Sequence, residues 1–339
     1  MMREFNVENL KCFVDLHLHL DGSLSLDNVK ALAKAQGICL GMSDDEIMSK
    51  LSVDEGCRDL NEYLQKFDFP LKLLQTSKGI QNAVKNLRLE LEKLGVMYAE
   101  IRFAPQLHKR AGLTQEEVLE SALKGLEGEG AFCNLIICCM RGDNTQEDNF
   151  ESVELAGKYL GRGVCAIDLA GAEGLFPNKL FKEEITRGAE LGIPITLHAG
   201  EADGYESVGS AISMGAQRIG HGVRAAENDE LLDKLAKEGI FLEVCPTSNL
   251  NTKVFAALSE LPIRKFIKNG IRFGINTDNM SVSRTNVQKE WIRIINAFGL
   301  EGEEMRKILM DSVDASFAKD EHKLEMKRKI EKEFEKISK

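Results

Sequence analysis

Short apolar segments recur along this chain and alternate with longer segments that have helical periodicity. The apolar segments are rich in branched side chains, and at five to nine residues they suit buried strands better than helices. Eight segments share these properties: 12–20, 96–104, 132–140, 164–170, 194–200, 218–222, 240–246 and 272–278. The pattern therefore predicts eight strands.

Most neighbouring strands are separated by one segment long enough for a helix, as at 114–130, 178–192 and 228–239. Eight strands that alternate with helices are typical of an α/β fold, the (β/α)8 or TIM barrel, whose active sites lie at the C-terminal ends of the strands. The main alternative, a doubly wound open sheet, usually carries a G-x-G-x-x-G loop after its first strand. The segment here, HLHLDGSLSL, lacks that loop. We therefore expect one barrel domain over residues 1–339.

The connection between the first and second strands, residues 21–95, is far longer than a single helix requires. It predicts a helical insertion at about 40–75. Four residues of the insertion share one helical face at i, i+3, i+4 and i+7: Leu60, Tyr63, Leu64 and Phe67. This face suits either a lid over the barrel mouth or ordinary core. The C-terminal segment 319–339 has the charge pattern of a solvated outer helix, and we expect His322 at its surface.

Composition and charge narrow the range of functions. A hydrophobic fraction of 43% can form a sizeable core, and a net charge of −10 without a basic stretch favours a small substrate over nucleic acid or an anionic membrane. No secretory leader and no apolar run of roughly 20 residues is present, so we expect a cytoplasmic protein. The eight cysteines contain no C-x-x-C pair and are expected to be reduced core residues. The oligomeric state is left open.

Histidine is rare, with six residues in 339, yet four of the six end predicted strands. These are His17 and His19 on the first strand, His198 on the fifth and His221 on the sixth. Period-two alternation places Asp15, His17 and His19 on one face of the first strand, opposite three leucines. A single strand histidine is usually a core residue with satisfied hydrogen bonds, but four at one end of a barrel indicate a functional site.

A carboxylate joins the histidines if the barrel closes. Asp278 belongs to the last strand, which would lie beside the first, near His17 and His19, while His198 reaches in from across the mouth. Three imidazoles and one carboxylate form a ligand set suited to catalytic zinc, with a position left for water. A bridged metal pair generally needs a further anionic bridge, often a modified lysine, and the end of strand four, DLAGAE, has no lysine. We therefore expect one zinc ion per chain.

Two further residues are placed for proton chemistry. Glu201 follows His198 by three residues, at the rim of the barrel, where its carboxyl could exchange a proton with a substrate. His221 on the next strand could orient and deprotonate a water molecule whose pKa zinc lowers to about 7. Alone, Glu201 would be interpreted as a helix-capping acid, but beside His198 it is a candidate for catalysis.

Six short motifs follow one another along the chain: HLHLDG (17–22), DLAGAE (168–173), HAGE (198–201), GHG (220–222), EVCPTSN (243–249) and NTD (276–278). With LNEYLQKFDF in the insertion, they resemble the adenosine deaminases of the amidohydrolase superfamily in kind and in order. The similarity runs through nearly the whole chain. H-x-H alone would indicate only the superfamily, whereas the full set is specific to the family.

Carried over residue by residue, the resemblance implies the same zinc ligands: His17, His19, His198 and Asp278. It implies that Glu201 handles the proton at purine N1 and that His221 orients the attacking hydroxide. It further implies that the main-chain amide of Gly171 meets purine N3, and that Asp21 and His19 lie near the ribose hydroxyls.

One position departs from the family pattern. The family commonly has two successive acids after the last strand, and here the second is Asn279, followed by Met280 in place of the usual proline. That acid is expected to face purine N7, an acceptor, and would need its proton to donate a hydrogen bond. An asparagine amide donates without one, so Asn279 is compatible with adenosine. The choice between a nucleoside, a free base and a modified nucleoside stays open.

The expected activity is zinc-dependent hydrolysis of adenosine and 2'-deoxyadenosine to inosine and 2'-deoxyinosine, with release of ammonia. One alternative is a deaminase of adenine or of a modified adenosine in the same superfamily. Another is a catalytically silent nucleoside-binding protein, against which the intact Glu201 and His221 and the missing secretion signal argue. The zinc-finger-type cytidine and adenine deaminases are excluded because their H-x-E and P-C-x-x-C signature is absent.

Overall fold

The eight predicted strands form a closed (β/α)8 barrel in the computed structural model of the chain, which describes residues 7–337. Consecutive strands pair in parallel within each sheet. The strands are β1 (Phe13–His19), β2 (Val96–Phe103), β3 (Phe132–Met140), β4 (Val164–Ala170), β5 (Thr196–Ala199), β6 (Arg218–His221), β7 (Phe241–Val244) and β8 (Arg272–Ile275). The barrel interpretation of the sequence is therefore confirmed, and the open-sheet alternative is wrong.

Two four-stranded sheets, β1 to β4 and β5 to β8, make up the barrel. One seam joins β4 to β5 through the bridge between Ile167 and Ile195. At the other seam, the amide of His19 donates to the carbonyl oxygen of Asp278, and the amide of Asp278 donates to the carbonyl oxygen of His17, both at 2.7 Å. Closure therefore brings the end of β1 against the segment that follows β8.

Three strands, β5, β7 and β8, are each three residues shorter than the sequence indicated. β7 ends at Val244, since Pro246 lacks the amide needed to continue the ladder and begins a short helix. β8 ends three residues before Asp278, which adopts a left-handed backbone with φ +58°. Directly after β8, the side-chain oxygen of Asn276 accepts a hydrogen bond from the amide of Leu16 in β1 at 2.8 Å. A side chain thus adds to the main-chain hydrogen bonds where the barrel closes.

Among residues 7–337, fifteen α-helices surround the barrel or lie in its loops. They are α1 (Leu26–Ala35), α2 (Asp44–Leu51), α3 (Leu60–Leu64), α4 (Asp68–Leu73), α5 (Ser77–Lys93), α6 (Gln115–Gly125), α7 (Gln146–Tyr159), α8 (Lys182–Glu190), α9 (Tyr205–Ser213), α10 (Asp229–Glu238), α11 (Pro246–Asn251), α12 (Ile263–Lys268), α13 (Val287–Phe298), α14 (Gly302–Ala315) and α15 (Asp320–Ile337). Local signals set their ends: Thr114 and Glu117 form a capping box at α6, and Asn228 caps α10, which stops at Gly239 with φ +69°.

The predicted insertion at about 40–75 corresponds to α2, α3 and α4. Its predicted apolar face lines the cavity at the barrel mouth: Leu60, Tyr63, Leu64 and Phe67. The hydroxyl of Tyr63 lies 2.7 Å from the hydroxyl of Ser283, which follows β8, so the insertion is tied to the loop after the last strand. The face is a wall of the cavity, and its movement as a lid stays a prediction.

The outer elements largely match the sequence pattern. α15 packs on the barrel's outer layer through Met326 and Ile330, while its other face is charged. His322 is half-buried and so less exposed than the sequence pattern indicated, because the centre of its ring lies 4.4 Å from that of Phe132. All eight cysteines are free thiols, and Cys39 is the exposed one. In the described part of the chain, no helix is both long and apolar enough to cross a bilayer.

Candidate active site

The four predicted metal ligands meet at the C-terminal end of the barrel. Nε2 of His198 lies 3.1 Å from Nε2 of His17 and 3.2 Å from Nε2 of His19. Oδ1 of Asp278 lies 3.5 Å from Nε2 of His17 and 3.4 Å from Nε2 of His19. The structure therefore places three imidazole nitrogens and one carboxylate oxygen around a single point.

Buried carboxylates orient two of these rings. Nδ1 of His17 lies 2.8 Å from Oε2 of Glu243, and Nδ1 of His198 lies 2.8 Å from Oδ2 of Asp168. Burial alone would raise the pKa of both carboxylates. Arg102 and the nearby histidines have the larger combined effect, so each pKa lies well below its ordinary value. Each Nδ1 therefore carries the hydrogen, and the Nε2 lone pairs face one another. A cation between them satisfies these lone pairs.

The spacing of the donor atoms tests which cation fits. Ligands around a tetrahedral zinc ion, with bonds of about 2.0 to 2.1 Å, are about 3.3 Å apart. The four separations given above lie between 3.1 and 3.5 Å. Nitrogen and carboxylate donors are also the ligand types that zinc accepts. The donor set therefore fits zinc.

Burial sets the protonation of the ligand histidines. It lowers the pKa of His19 and His198, so both favour the neutral form that a metal ligand needs. For His17, burial and Arg102 are outweighed by hydrogen bonds to Asp278 and Glu243, and the pKa is raised. Burial raises the pKa of Asp278, but the hydrogen bond to His17 and the charges of the nearby histidines together lower it below its ordinary value. A proton on His17 and a metal ion thus compete for one position.

A second possible ligand group overlaps the first: His17, His221, Cys245 and Asp278. Burial, followed by the charges of Asp278 and Asp15, raises the pKa of the Cys245 thiol well above its ordinary value. Metal binding requires the thiolate, which this environment disfavours. The set of three histidines and Asp278 is therefore the better metal site.

Behind the ligands, the barrel interior holds buried charges. Nη1 of Arg102 donates to Oδ2 of Asp168 at 2.9 Å, and Nη2 donates to Oε2 of Glu243 at 2.8 Å. Arg218 pairs with the other oxygen of Glu243 at 2.7 Å and with Glu100 at 2.6 Å. Each of these five side chains is almost fully buried. One guanidinium, that of Arg102, thus holds both carboxylates that orient ligand histidines.

Glu201 faces the same cavity from the loop that follows β5. Burial, with the charges of Asp278 and Glu173, raises its pKa well above the ordinary value of a glutamate. Its Oε1 is buried without a hydrogen-bond partner among the described residues. The raised pKa favours the protonated form of the carboxyl, which has a hydrogen to donate.

His221 ends β6 beside this carboxyl, with Nε2 3.5 Å from Oε2 of Glu201. Its backbone has φ +62°, a left-handed conformation that is uncommon for residues other than glycine. Burial lowers its pKa, so the ring is neutral. Nδ1 lies 3.1 Å from the side-chain nitrogen of Asn249, whose oxygen has no partner in the described part of the chain. Reversing this amide would pair that oxygen with an Nδ1 hydrogen and leave Nε2 free to accept a proton.

The residues predicted to contact substrate also line the cavity: His19, Asp21, Gly171 and Asn279. Gly171 follows β4 with φ +112°, a conformation that favours glycine. Burial raises the pKa of Asp21 to about 6. The amide of Asn279 packs against Gly22, where a Cβ would lie 1.8 Å from the side-chain oxygen of Asn279. The glycine at position 22 therefore makes room for this amide.

The cavity itself has a volume of about 330 Å³. Beyond the polar groups above, much of its wall is apolar: Leu60, Leu64, Phe67, Leu71, Phe103, Leu107, Met140 and Ala170. It also includes two cationic side chains, Arg110 and Arg141. The Arg141 guanidinium already donates to Asn178 and to the carbonyl oxygens of Phe176 and His198. The cavity therefore suits a neutral ligand with both polar and apolar surface.

Sequence reasoning gave no role to four buried residues that organise the site: Arg102, Asp168, Glu173 and Glu243. Three of them lie inside the quoted motifs DLAGAE and EVCPTSN. The available signal was a charged residue within an otherwise apolar strand, as for Arg102 in VMYAEIRFA. Such a residue is buried, so it needs a partner of opposite charge.

The site combines a cation-binding ligand set with a carboxyl of raised pKa at the C-terminal end of a (β/α)8 barrel. Metal-dependent hydrolases use such sites to attack a bound substrate with water. The structure places the chain in this class, within the amidohydrolase type. The family model for adenosine deaminase matches residues 13–333. The chain therefore belongs to the adenosine deaminase family and is an enzyme of that family.

Individual proteins agree with this assignment. The chain is similar to the adenosine deaminase of Haemophilus ducreyi, with 43% identity over 330 residues, 95% of this chain and 96% of the relative. An adenine deaminase from Arthrobacter aurescens has a TM-score of 0.85 and 25% identity over 95% of this chain and 98% of that one. The N6-methyl-AMP deaminase of Arabidopsis thaliana has a TM-score of 0.83 and 23% identity, over 96% and 97% of the two chains. The latter similarity shows the shared fold.

Proposed function

We propose that this enzyme hydrolyses adenosine and 2'-deoxyadenosine to inosine and 2'-deoxyinosine with release of ammonia. The observation that carries the proposal is a carboxyl with a raised pKa, that of Glu201, in the same cavity as the ligand set of three histidines and Asp278. A protonated acid beside a water-activating cation is what hydrolytic replacement of an amino group requires. A relative of 43% identity is named adenosine deaminase.

The metal site is proposed to hold one zinc ion through His17, His19, His198 and Asp278. When bound, zinc supplies an activated water as the nucleophile. The neutral state of His19 and His198 and the ionised state of Asp278 are those that its binding needs.

Protons are handled by two residues of the chain. Glu201 donates its proton to purine N1 as the attacking oxygen bonds to C6, which relieves the charge that builds on the ring. His221, whose ring lies beside Glu201, orients that oxygen and takes its proton. The amino group then leaves C6 as ammonia with one of the two protons of the water, and the other proton restores the Glu201 carboxyl. One water is consumed, and one inosine and one ammonia are formed.

Substrate contacts are proposed as the family resemblance implies. The main-chain amide of Gly171 donates to N3, and the side-chain amide of Asn279 donates to N7. Asp21 and His19 lie near the ribose hydroxyls. All four residues line the cavity. Above a pH of about 6, Asp21 is ionised and is an acceptor only, which suits hydroxyl donors.

Alternatives within the family are deamination of adenine or of a modified adenosine. A phosphorylated substrate would need Arg110 as its main cationic contact, because the guanidinium of Arg141 already donates to three protein acceptors. A catalytically silent protein would have no need of a protonated Glu201.

We also propose that α2 to α4 act as a lid over the cavity. We further propose that the enzyme is cytoplasmic, which its free cysteines support.

Steady-state kinetics test the proposal directly. Purified zinc-loaded enzyme should show saturable loss of absorbance with adenosine and deoxyadenosine, and kcat/KM for adenine should be lower by about 100-fold or more, because ribose contacts are missing. An N6-methylated adenosine monophosphate serves as the third substrate. A higher kcat/KM for adenine or for the monophosphate would identify that compound, and not adenosine, as the substrate. Binding without turnover of any of them would favour the silent protein.

A further inference from the structure

Glu173 is a buried acid, 1% exposed, in the loop that follows β4. Its two carboxyl oxygens accept hydrogen bonds from the amides of four consecutive residues, at 2.8 Å from Gly200, 3.0 Å from Glu201, 2.7 Å from Ala202 and 3.1 Å from Asp203. The hydroxyl of Ser207, in α9, donates to the same carboxyl at 2.5 Å. Five donors thus converge on one side chain.

This arrangement fixes the shape of the loop that carries Glu201. Four successive amides can point at one acceptor only if the chain curls around it, and Gly200 permits this with φ +67°. Hydrogen bonds to a carboxylate are shorter and stronger than neutral ones, and the burial of Glu173 leaves no water to replace them. Hydrogen bonds to Glu173 therefore fix the main chain at Glu201 and at the residues before and after it.

The same residue joins two walls of the cavity. Gly171 and Ala172, which immediately precede Glu173, line the cavity from the β4 side, and Glu201 lines it from the β5 side. Glu173 itself does not appear in the cavity wall among the described residues. Its side chain crosses from the first loop to the second, so it sets the separation between the Gly171 amide and the Glu201 carboxyl. Under the proposed function, these two groups contact N3 and N1 of one purine ring.

We infer that Glu173 is a positioning residue, which places the Glu201 carboxyl at N1 while the Gly171 amide holds N3. This inference rests on the proposed function. Glu173 touches neither substrate nor metal ligand side chains, so its effect on the reaction must pass through Glu201. Removal of its acceptors should therefore lower the rate of proton transfer and leave metal binding unchanged.

A double-mutant cycle tests this dependence. Glu173→Gln keeps the size of the side chain but puts an amide donor where amide hydrogens already point. We expect it to lower kcat for adenosine by about 10-fold or more and to change KM by less than about 3-fold, with zinc content retained. In a Glu201→Gln background, Glu173→Gln should lower kcat by less than about 2-fold, because the proton donor it positions is already missing.

A matched control comes from Glu290, a fully buried glutamate of α13 that accepts hydrogen bonds from Thr247 and Thr285 away from the cavity wall. Glu290→Gln should lower thermal stability and leave kcat near the wild-type value. If Glu173→Gln does not fold, Glu173→Asp replaces it in the same cycle. The same factor in both backgrounds, an unchanged kcat, or a loss of zinc parallel to the loss of kcat would each overturn the inference. A wild-type enzyme inactive on adenosine would instead contradict the proposed function.

Discussion

Nδ1 of His17 lies 2.8 Å from Oε2 of Glu243, and the same oxygen accepts a hydrogen bond from Arg102 at 2.8 Å. The oxygen that orients a metal-ligand histidine is therefore itself held by a buried cation. At the other end of the guanidinium, Arg102 holds the Asp168 carboxylate that orients His198. Two ligands from opposite sheets of the barrel are thus aligned through one arginine.

Replacement of this arginine should weaken metal binding. Arg102→Lys keeps the charge, but an ammonium group does not reproduce the two-pronged geometry that reaches both Asp168 and Glu243. We expect zinc affinity to fall by about 10- to 100-fold, as for other losses of groups that orient metal ligands. Competition with a chelator of known affinity measures the change.

The control for this experiment is Arg88→Lys. Arg88 of α5 is also buried, and it donates to main-chain carbonyl oxygens, including those of Ala131 and Gly125, far from the ligands. Its replacement should lower thermal stability without changing zinc affinity. Equal zinc affinities in the two variants would show that Arg102 is needed for folding alone.

Metal content itself should depend on the ligand set. Purified enzyme is expected to hold about one zinc per chain, and His17→Ala or Asp278→Ala should lose it, because each removes a donor from a site with four. Elemental analysis gives the ratio. His108→Ala, which removes a buried histidine bonded to the carbonyl of Leu74, should retain zinc. Two tightly held metals per chain would contradict the single site.

Asn279 should determine how the enzyme recognises N7. Asn279→Ala is expected to raise KM and lower kcat for adenosine, since a lost hydrogen bond to a buried acceptor costs about 1 to 3 kcal/mol. For the same reason, 7-deazaadenosine, which lacks the acceptor, should be a poor substrate of the wild-type enzyme. Steady-state kinetics with both nucleosides provide the comparison. A variant with wild-type kinetics on each would remove Asn279 from the binding site.

Much of the fold could be predicted because each strand is a short apolar run. The helices could be located because their ends carry ordinary signals, such as Thr114 and Asn228. The ligands could be grouped because β1 and β8 must be neighbours in a closed barrel, which places Asp278 beside His17 and His19. Period-two alternation and barrel closure were therefore enough to bring these side chains together.

The supporting residues could not be assigned in the same way. Glu173 and Glu201 are 28 residues apart, and the contact between them depends on how two loops curl after their strands. Neither periodicity nor composition determines that shape. Likewise, the left-handed backbone of Asp278 is not required by its residue type, so it could not be predicted. Loop conformation is set by many tertiary contacts at once, so it becomes visible only in the structure.

Replacement of Glu201 should lower activity and should also change how stability depends on pH. Glu201→Gln cannot deliver a proton to N1, so kcat should fall by about 100- to 10,000-fold, while zinc content and nucleoside binding stay nearly unchanged. Single-turnover rates and elemental analysis test this. Retention of more than about a tenth of wild-type turnover, or loss of the metal, would show that Glu201 is a bystander or a ligand. In the wild-type enzyme, kcat/KM should also decline as pH rises through the raised pKa of Glu201, because only the protonated carboxyl is active.

The stability effect follows from the same pKa. Because burial raises the pKa of Glu201 in the folded state above its unfolded value of about 4.3, the folded state holds this proton more tightly. The stabilisation that this proton provides is fully present below the unfolded pKa and is lost as pH rises through the folded pKa. Glu201→Gln has no such dependence, so its melting temperature relative to wild type should rise with pH between these two values and then become constant. Thermal unfolding of the two metal-free proteins at a series of pH values measures this difference. A difference that does not change with pH would mean that Glu201 has an ordinary pKa and is not the protonated acid that the mechanism requires.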